Sequence, residues 1–195
     1  MCHALLRDTS LYDVLLTFDH DLAAEARAAG CSCGGVLHSA RYPRKPRGGP
    51  DVLGPEYGTR LSFCCAAEGC RRRVTPPSVR YLGRRVYLGA VVVLVTAMRA
   101  GITARRAAQV REWLGVSART LARWRRWWHE TFVASPFWQG AKGRFAPPVE
   151  PRALPAALLE RFAGDHLRDR LVAVLHFVAP LTTRAARGAR SARGA

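Results

Sequence analysis

The sequence predicts a mainly α protein with a small β module set between its helices, and three observations predict it. Apolar residues recur at three- and four-residue steps in segments on both sides of the middle of the 195-residue chain, the spacing of amphipathic helices. From Gly30 to about Gly83 the composition turns instead to Gly, Pro, Cys and Arg, with short alternations such as Arg60-Leu61-Ser62-Phe63 that suit strands. Five of the six cysteines, Cys31, Cys33, Cys64, Cys65 and Cys70, gather in that stretch, where a loop-rich module needs a staple.

The elements follow in order. Residues 1–29 read as an N-terminal amphipathic helix: from Ser10 to Ala29, Leu11, Val14, Leu15, Phe18, Leu22 and Ala26 form one stripe, with Ser10 as cap and Gly30 as stop. Within it Asp19-His20-Asp21 is expected to be a solvated face, since helical neighbours point in different directions. Residues 30–83 form the cysteine module. Residues 84–136 return to helix: Arg84 to Ala100, interrupted by Gly101, then Thr103 to Leu114 and Ser117 to about Phe132. Residues 137–154, with Gly140, Gly143, Pro147, Pro148 and Pro151 among Lys142 and Arg144, read as a basic linker. Residues 155–180 hold a last helix, Pro155 to Val178, and residues 181–195 have so little to bury that a disordered basic tail is expected.

Lys and Arg number 31 against 14 acidic residues, a formal charge of +17, which concentrates polyanions around the chain and makes nucleic acid the expected partner. The excess of Arg over Lys carries less weight, because a GC-rich genome produces it without physical cause. With 49% apolar residues a core is available and wholesale disorder is not the default. No basic segment followed by a long apolar run opens the chain, and the longest apolar stretch, Val86 to Met98, falls short of the roughly 20 residues a membrane span needs. A cytoplasmic protein without a membrane segment is therefore expected.

Thiolates hold zinc in a tetrahedron when two pairs, each on a tight turn, meet across a β-hairpin, and glycine beside a pair lets backbone amides approach sulfur. Cys31-Ser32-Cys33-Gly34-Gly35 and Cys65-x4-Cys70 supply two such turns, so Cys31, Cys33, Cys65 and Cys70 are the expected Zn2+ ligands of a zinc ribbon. Two alternatives stay open. A Cys-x-Cys knuckle is one residue shorter than the usual Cys-x-x-Cys, which leaves His38 as a substitute ligand, and Cys64 competes with Cys65. Strand alternation puts Leu61, Phe63 and Cys65 on one face and favours Cys65. Buried reduced thiols or redox-active ones are the other reading of the cluster. Arg71, Arg72 and Arg73 directly follow the last ligand and are expected to contact phosphates.

Thr103 to Thr131 fits a helix-turn-helix, in which a first helix packs across a short turn onto a second whose exposed face enters the major groove. Val110 and Leu114 face inward, Gly115-Val116-Ser117 is the turn, Ser117 caps the second helix, and Leu121 and Trp124 anchor it. Arg119, Thr120 and Arg123 are then the expected base readers, with Arg125, Arg126 and His129 also exposed. Trp127, Trp128, Phe132, Phe137 and Trp138 are expected to pack the last helix rather than to stack on bases.

Taken together, Cys-Ser-Cys-Gly-Gly, the cluster Cys-Cys-Ala-Ala-Glu-Gly-Cys-Arg-Arg-Arg and Leu-Gly-Val-Ser-Ala-Arg-Thr-Leu-Ala-Arg-Trp-Arg-Arg-Trp-Trp resemble the zinc-ribbon and helix-turn-helix portions of insertion-sequence transposases and their small companion proteins. The resemblance covers about residues 30 to 135 and implies a mobile-element DNA-binding protein. In it, Cys31, Cys33, Cys65 and Cys70 take the ligand positions and Ser117 to His129 the recognition helix. The shortened first knuckle departs from that family, and so does the absence of a recognisable catalytic domain. Strand transfer needs acidic residues on a sheet holding two metal ions, and no phosphate-cradling loop, nucleophile elbow or deaminase His-x-Glu is present either. The expected function is therefore non-enzymatic binding of double-stranded DNA, in a mobile element or in transcriptional regulation. A truncated or split transposase subunit acting with a separate catalytic protein, and an RNA-binding zinc-ribbon protein, are the alternatives.

Overall fold

A computed structural model describes residues 2–50, 52–82, 87–97 and 103–183. The chain is mainly helical with a small amount of strand. Helix α1 spans Cys2–Arg7 and α2 spans Thr9–Ala28; the cap between them is Asp8, whose carboxylate accepts the Ser10 amide at 3.0 Å. Ser10, the expected cap, lies inside the helix and donates its hydroxyl to the same carboxylate at 2.7 Å. Gly30 ends α2 with φ at 72°, the left-handed turn that glycine adopts without strain.

Five short strands follow: β1 Leu37–Ser39, β2 Tyr42–Pro43, β3 Thr59–Arg60, β4 Phe63–Cys65 and β5 Arg73–Val74. Strands β1, β4 and β5 form an antiparallel sheet in that order, with Leu37 opposite Cys65, His38 opposite Cys64, and Cys64 opposite Arg73. β2 pairs antiparallel with β3. Ala23 of α2 with Cys31, Leu37, Leu61, Phe63 and Cys65 forms a small core of its own at the cysteine end of the module, while Tyr57, Val79, Tyr81 and Leu82 join the main core.

The main core is built on α3, Gly89–Thr96, every residue of which is buried. A helix apolar on all sides must be covered on all sides, and α1, α5 and α8 pack against it. Gly89 sits so close to α8 and to the preceding chain that a Cβ would stand 3.0 Å from Leu175 and 3.1 Å from the Val79 carbonyl. The helix expected from Arg84 begins only at Gly89, because Leu88 is its extended N-cap and Tyr87 and Leu88 form isolated β-bridges with Arg47 and Tyr81; residues 83–86 and 98–102 lie outside the described residues. Helix α4 is Ala104–Leu114, and α5 is Ala118–Arg126, running on as a wider π-helical turn over Trp127–Phe132.

Three expectations for the C-terminal part are corrected. The segment 137–154 is packed rather than a free linker: α6, Pro136–Ala141, buries Trp138, and Val149 and Leu154 are also buried. Its apolar residues outweigh the signal from its glycines and prolines. Phe145 joins Trp138, Phe162 and Phe177 in ring contacts at 5.9, 5.9 and 5.5 Å. The last helix is two helices, α7 Ala156–Arg161 and α8 Leu167–Val178, broken where Gly164 takes φ of 149° and Asp169 accepts the His166 amide at 3.3 Å. The start of the expected tail is anchored, since Thr182 is buried and accepts the Ser78 amide at 3.0 Å; residues 184–195 lie outside the described residues. The expected aromatic packing is present: Trp128, Phe132 and Trp138 are buried, and Phe137 meets Phe177 of α8 at 5.1 Å.

A further correction concerns Asp19, expected on a solvated face. His20 and Asp21 are exposed, but Asp19 is 1% exposed and takes the Ser78 hydroxyl at 2.6 Å, the Val79 amide at 2.7 Å and Arg80 Nε at 2.8 Å. Arg80 is itself buried and donates onward to the carbonyls of Glu56 and Thr59, each at 3.2 Å. One carboxylate thereby ties α2 to the base of the cysteine module and to the entry of α3. The stripe Leu11, Leu15, Asp19, Ala23 keeps the four-residue step, so Asp19 occupies a core position. No helix among the described residues is long and apolar enough to cross a membrane.

Candidate metal centre and nucleic-acid interface

Cys31, Cys33, Cys65 and Cys70 meet in one cluster, their sulfurs all within 4.8 Å of one another. Cys31 follows the left-handed stop of α2, Cys33 ends the first turn, Cys65 closes β4, and Cys70 ends the loop before β5. The turns interlock: Cys31 Sγ lies 3.7 Å from Cys70 Sγ, and Cys33 Sγ lies 3.4 Å from Cys65 Sγ. A disulfide would need about 2.05 Å. The edges of a tetrahedron with Zn–S bonds of about 2.3 Å are about 3.8 Å, so the cluster fits a tetrahedral thiolate ion.

The backbone around the sulfurs is arranged for negative charge. Cys33 accepts the Gly35 amide, Cys65 the Ala67 amide and Cys70 the Arg72 amide, in each case from two residues further on. In two of the turns the residue between is left-handed, Gly34 at φ 80° and Arg71 at φ 43°, which swings the next amide back onto sulfur. Gly35 admits no side chain: a Cβ there would stand 2.6 Å from Cys65 Sγ and 3.3 Å from Cys33 Sγ. Close approach of backbone to sulfur is the physical reason for Gly34-Gly35 after the first pair.

The thiols of Cys33, Cys65 and Cys70 do not ionise alike. The Gly35 amide, helped by the thiols of Cys70, Cys65 and Cys31, draws Cys33 down to about 7. Although the Ala67 amide favours its thiolate, burial and the neighbouring thiols outweigh it and push Cys65 up to about 12. Cys70 is favoured by the Arg72 amide but is raised overall by Cys33, burial and Cys31. Cys33 gives a thiolate readily while Cys65 and Cys70 resist, because negative charges at this separation need a cation between them.

The open alternatives resolve. Cys64 points away from the cluster, with its sulfur 3.5 Å from the Arg71 carbonyl, and His38, paired with Cys64 in the sheet, is exposed and outside the cluster. Strand alternation carried the information for Cys65 over Cys64, and the β1–β4 register excludes His38. Among the described residues the four cysteines form the one group of three or more His, Cys, Asp or Glu close enough to share an ion.

Arg71, Arg72 and Arg73 are exposed beside this site. Arg72 reaches across to the Ser32 hydroxyl, while Arg73 donates to the Ala40 carbonyl at 3.3 Å and lies over the Tyr42 ring at 5.7 Å. Arg71 is the one non-glycine residue with positive φ among those described, a conformation that costs an L residue about 1 kcal/mol. Arg71→Gly is therefore expected to leave the urea midpoint unchanged or raise stability by up to about 1 kcal/mol, while removing one cation from the hairpin. A midpoint that falls contradicts the strain.

No family model, no curated protein and no solved structure matches the chain. The remaining site residues stand on geometry alone.

Gly115, with φ of 63°, and Ser117 separate α4 from α5, and the Ser117 hydroxyl accepts the Thr120 amide at 3.2 Å as the N-cap. Val110, Val116, Leu121, Trp124 and Trp128 are buried, and Leu114 is half-buried against the same core. Leu121, Trp124 and Trp128 share one face, and at about 100° per residue Arg119, Arg123 and Arg126 fall on the opposite one, all exposed. Thr120 is partly committed to the cap, its hydroxyl 3.1 Å from that of Ser117. His129 is exposed, but its ring nitrogen lies 3.1 Å from the Leu154 carbonyl, so it braces the packed segment after α6.

Proposed function

We propose that the chain is a non-enzymatic zinc-ribbon and helix-turn-helix protein that binds double-stranded DNA. The observation that carries it is the row Arg119, Arg123 and Arg126 on an N-capped helix, diametrically opposite the tryptophans that fix that helix to the core. Three planar forks on a rigid helix suit phosphates and guanine edges, and a charge of +17 supplies the long-range attraction. Zn2+ held by Cys31, Cys33, Cys65 and Cys70 would be structural, since four protein thiolates leave no open position for chemistry, and it would stiffen the hairpin bearing Arg71 to Arg73. A mobile-element or transcriptional role follows only from the resemblance of the motifs to transposase portions. On that reading the partner beyond DNA is a separate transposase catalytic subunit.

Charge alone makes almost any fold adhere to DNA at low salt, so the test compares a preferred duplex with a scrambled one across a salt series. Arg119→Ala or Arg123→Ala is expected to lower affinity for the preferred duplex by about 1–3 kcal/mol and to leave the scrambled duplex nearly unchanged. Replacing Arg72 or Arg73 is expected to weaken both duplexes alike and to flatten the salt dependence. If every arginine variant affects both duplexes equally, α5 is not a reader.

A further inference from the structure

A second basic element stands beside the helix-turn-helix, on neither α5 nor the cysteine hairpin. After β2 the chain runs Arg44-Lys45-Pro46-Arg47-Gly48-Gly49-Pro50, three cations in four positions followed by a glycine pair. The backbone of this loop is anchored. The Arg44 amide donates to the Gly58 carbonyl at 2.6 Å and the Leu88 amide to the Arg47 carbonyl at 3.1 Å. Gly48, at φ 85°, lies against Val91, and Gly49 is so close to Leu88 that a Cβ would stand 2.8 Å from its Cδ1. With the backbone pinned to the start of α3, Lys45 and Arg47 are left exposed.

The loop faces the turn between α4 and α5 across an open groove of about 470 Å³, with Pro46, Arg47 and Leu53 on one side and Trp113, Leu114 and Gly115 on the other. The two walls are held together, since Tyr87 next to Leu88 donates its hydroxyl to the Gly115 carbonyl at 2.9 Å. Trp113 is 43% exposed, the largest side chain among the exposed apolar residues described. No Asp or Glu lines the groove among the described residues. Gly115 leads through Val116 directly to the N-cap Ser117, so the groove opens at the N-terminal end of α5. That end carries the positive end of the helix dipole, and it approaches the DNA in a helix-turn-helix.

We infer that this groove seats the sugar-phosphate backbone of the duplex beside the bases that α5 reads, with Lys45 and Arg47 pairing with phosphates and Trp113 packing on deoxyribose. Arg47 in the wall, Lys45 exposed beside it on the same anchored loop, and the Trp113 ring, with no Asp or Glu among the described lining residues, match a polyanionic strand. The inference rests on the duplex-DNA function proposed above and adds to it a contact flanking the base-reading site.

The test uses the full zinc-loaded chain and a duplex enriched from a random library, with a scrambled duplex beside it. The Lys45→Ala, Arg47→Ala double variant is expected to bind both duplexes more weakly. Its plot of log affinity against log salt should be shallower by about 1 per residue removed, and its hydroxyl-radical footprint shorter at one flank. Trp113→Ala is expected to shorten the same flank without changing the salt slope. Urea melting of each variant at the wild-type midpoint establishes that the fold is kept. An unchanged slope and footprint in the double variant, with wild-type chain still binding, overturns the groove and leaves the duplex-DNA function standing. A loss seen with single-stranded oligonucleotides alone also overturns it. Absence of duplex binding by the wild-type chain overturns both.

Discussion

Asp19→Ala is expected to cost about 3–5 kcal/mol, a large part of a stability that for single domains is typically about 5–15 kcal/mol. The carboxylate is 1% exposed and accepts from Ser78, Val79 and Arg80, so its removal leaves the Arg80 guanidinium buried and without its counter-charge. Arg60 Nη1, 4.0 Å from the same carboxylate and lacking a hydrogen-bond partner, would also lose its nearest anion. The urea midpoint should fall sharply at constant slope. Adding Arg80→Met should recover part of the loss, because the second change removes the stranded charge. A single variant within about 1 kcal/mol of wild type would show that water enters and screens the site.

Such a role could not be read from sequence. Asp19 between Phe18 and His20 has the look of a helix surface, and only the tertiary arrangement brings Ser78 to Arg80 over it from about sixty residues away. Residues 137–154 depart from the expected linker for a related reason: Gly and Pro set local backbone preference, while Trp138, Val149 and Leu154 decide burial, and burial dominates. Local signals served better where one interaction settles the outcome. Ser117 as cap, Gly115 at the turn and the opposed faces of α5 follow from helix geometry and capping. The choice of Cys65 over Cys64 follows from strand alternation. The basic groove is not legible in the sequence because its walls, Arg47 and Trp113, are far apart in the chain.

The other large effect concerns the cysteine cluster. Protein purified without added metal is expected to carry about one zinc per chain. The separate core around the cluster holds six buried residues, one of them from α2 and two of them cysteines, too few to order the cluster end unaided, so chelation should lower the melting temperature markedly. Hydrogen exchange should rise first in β1, β4 and β5, whose ladder joins the two turns. Gly35→Ala should mimic chelation with every ligand retained, since its Cβ would stand 2.6 Å from Cys65 Sγ. Elemental analysis finding no zinc, together with unchanged melting after chelation, would remove the structural role of Cys31, Cys33, Cys65 and Cys70; iron in place of zinc would keep the site and change the ion.

The central claim is that α5 reads duplex DNA through Arg119 and Arg123, and selection from a random duplex library at physiological salt tests it most directly. The zinc-loaded chain is expected to enrich one short motif, and the Arg119→Ala, Arg123→Ala double variant is expected to recover DNA without that motif while retaining the wild-type melting temperature. Enrichment of no motif by the wild-type chain, or of the same motif by the variant, would contradict it.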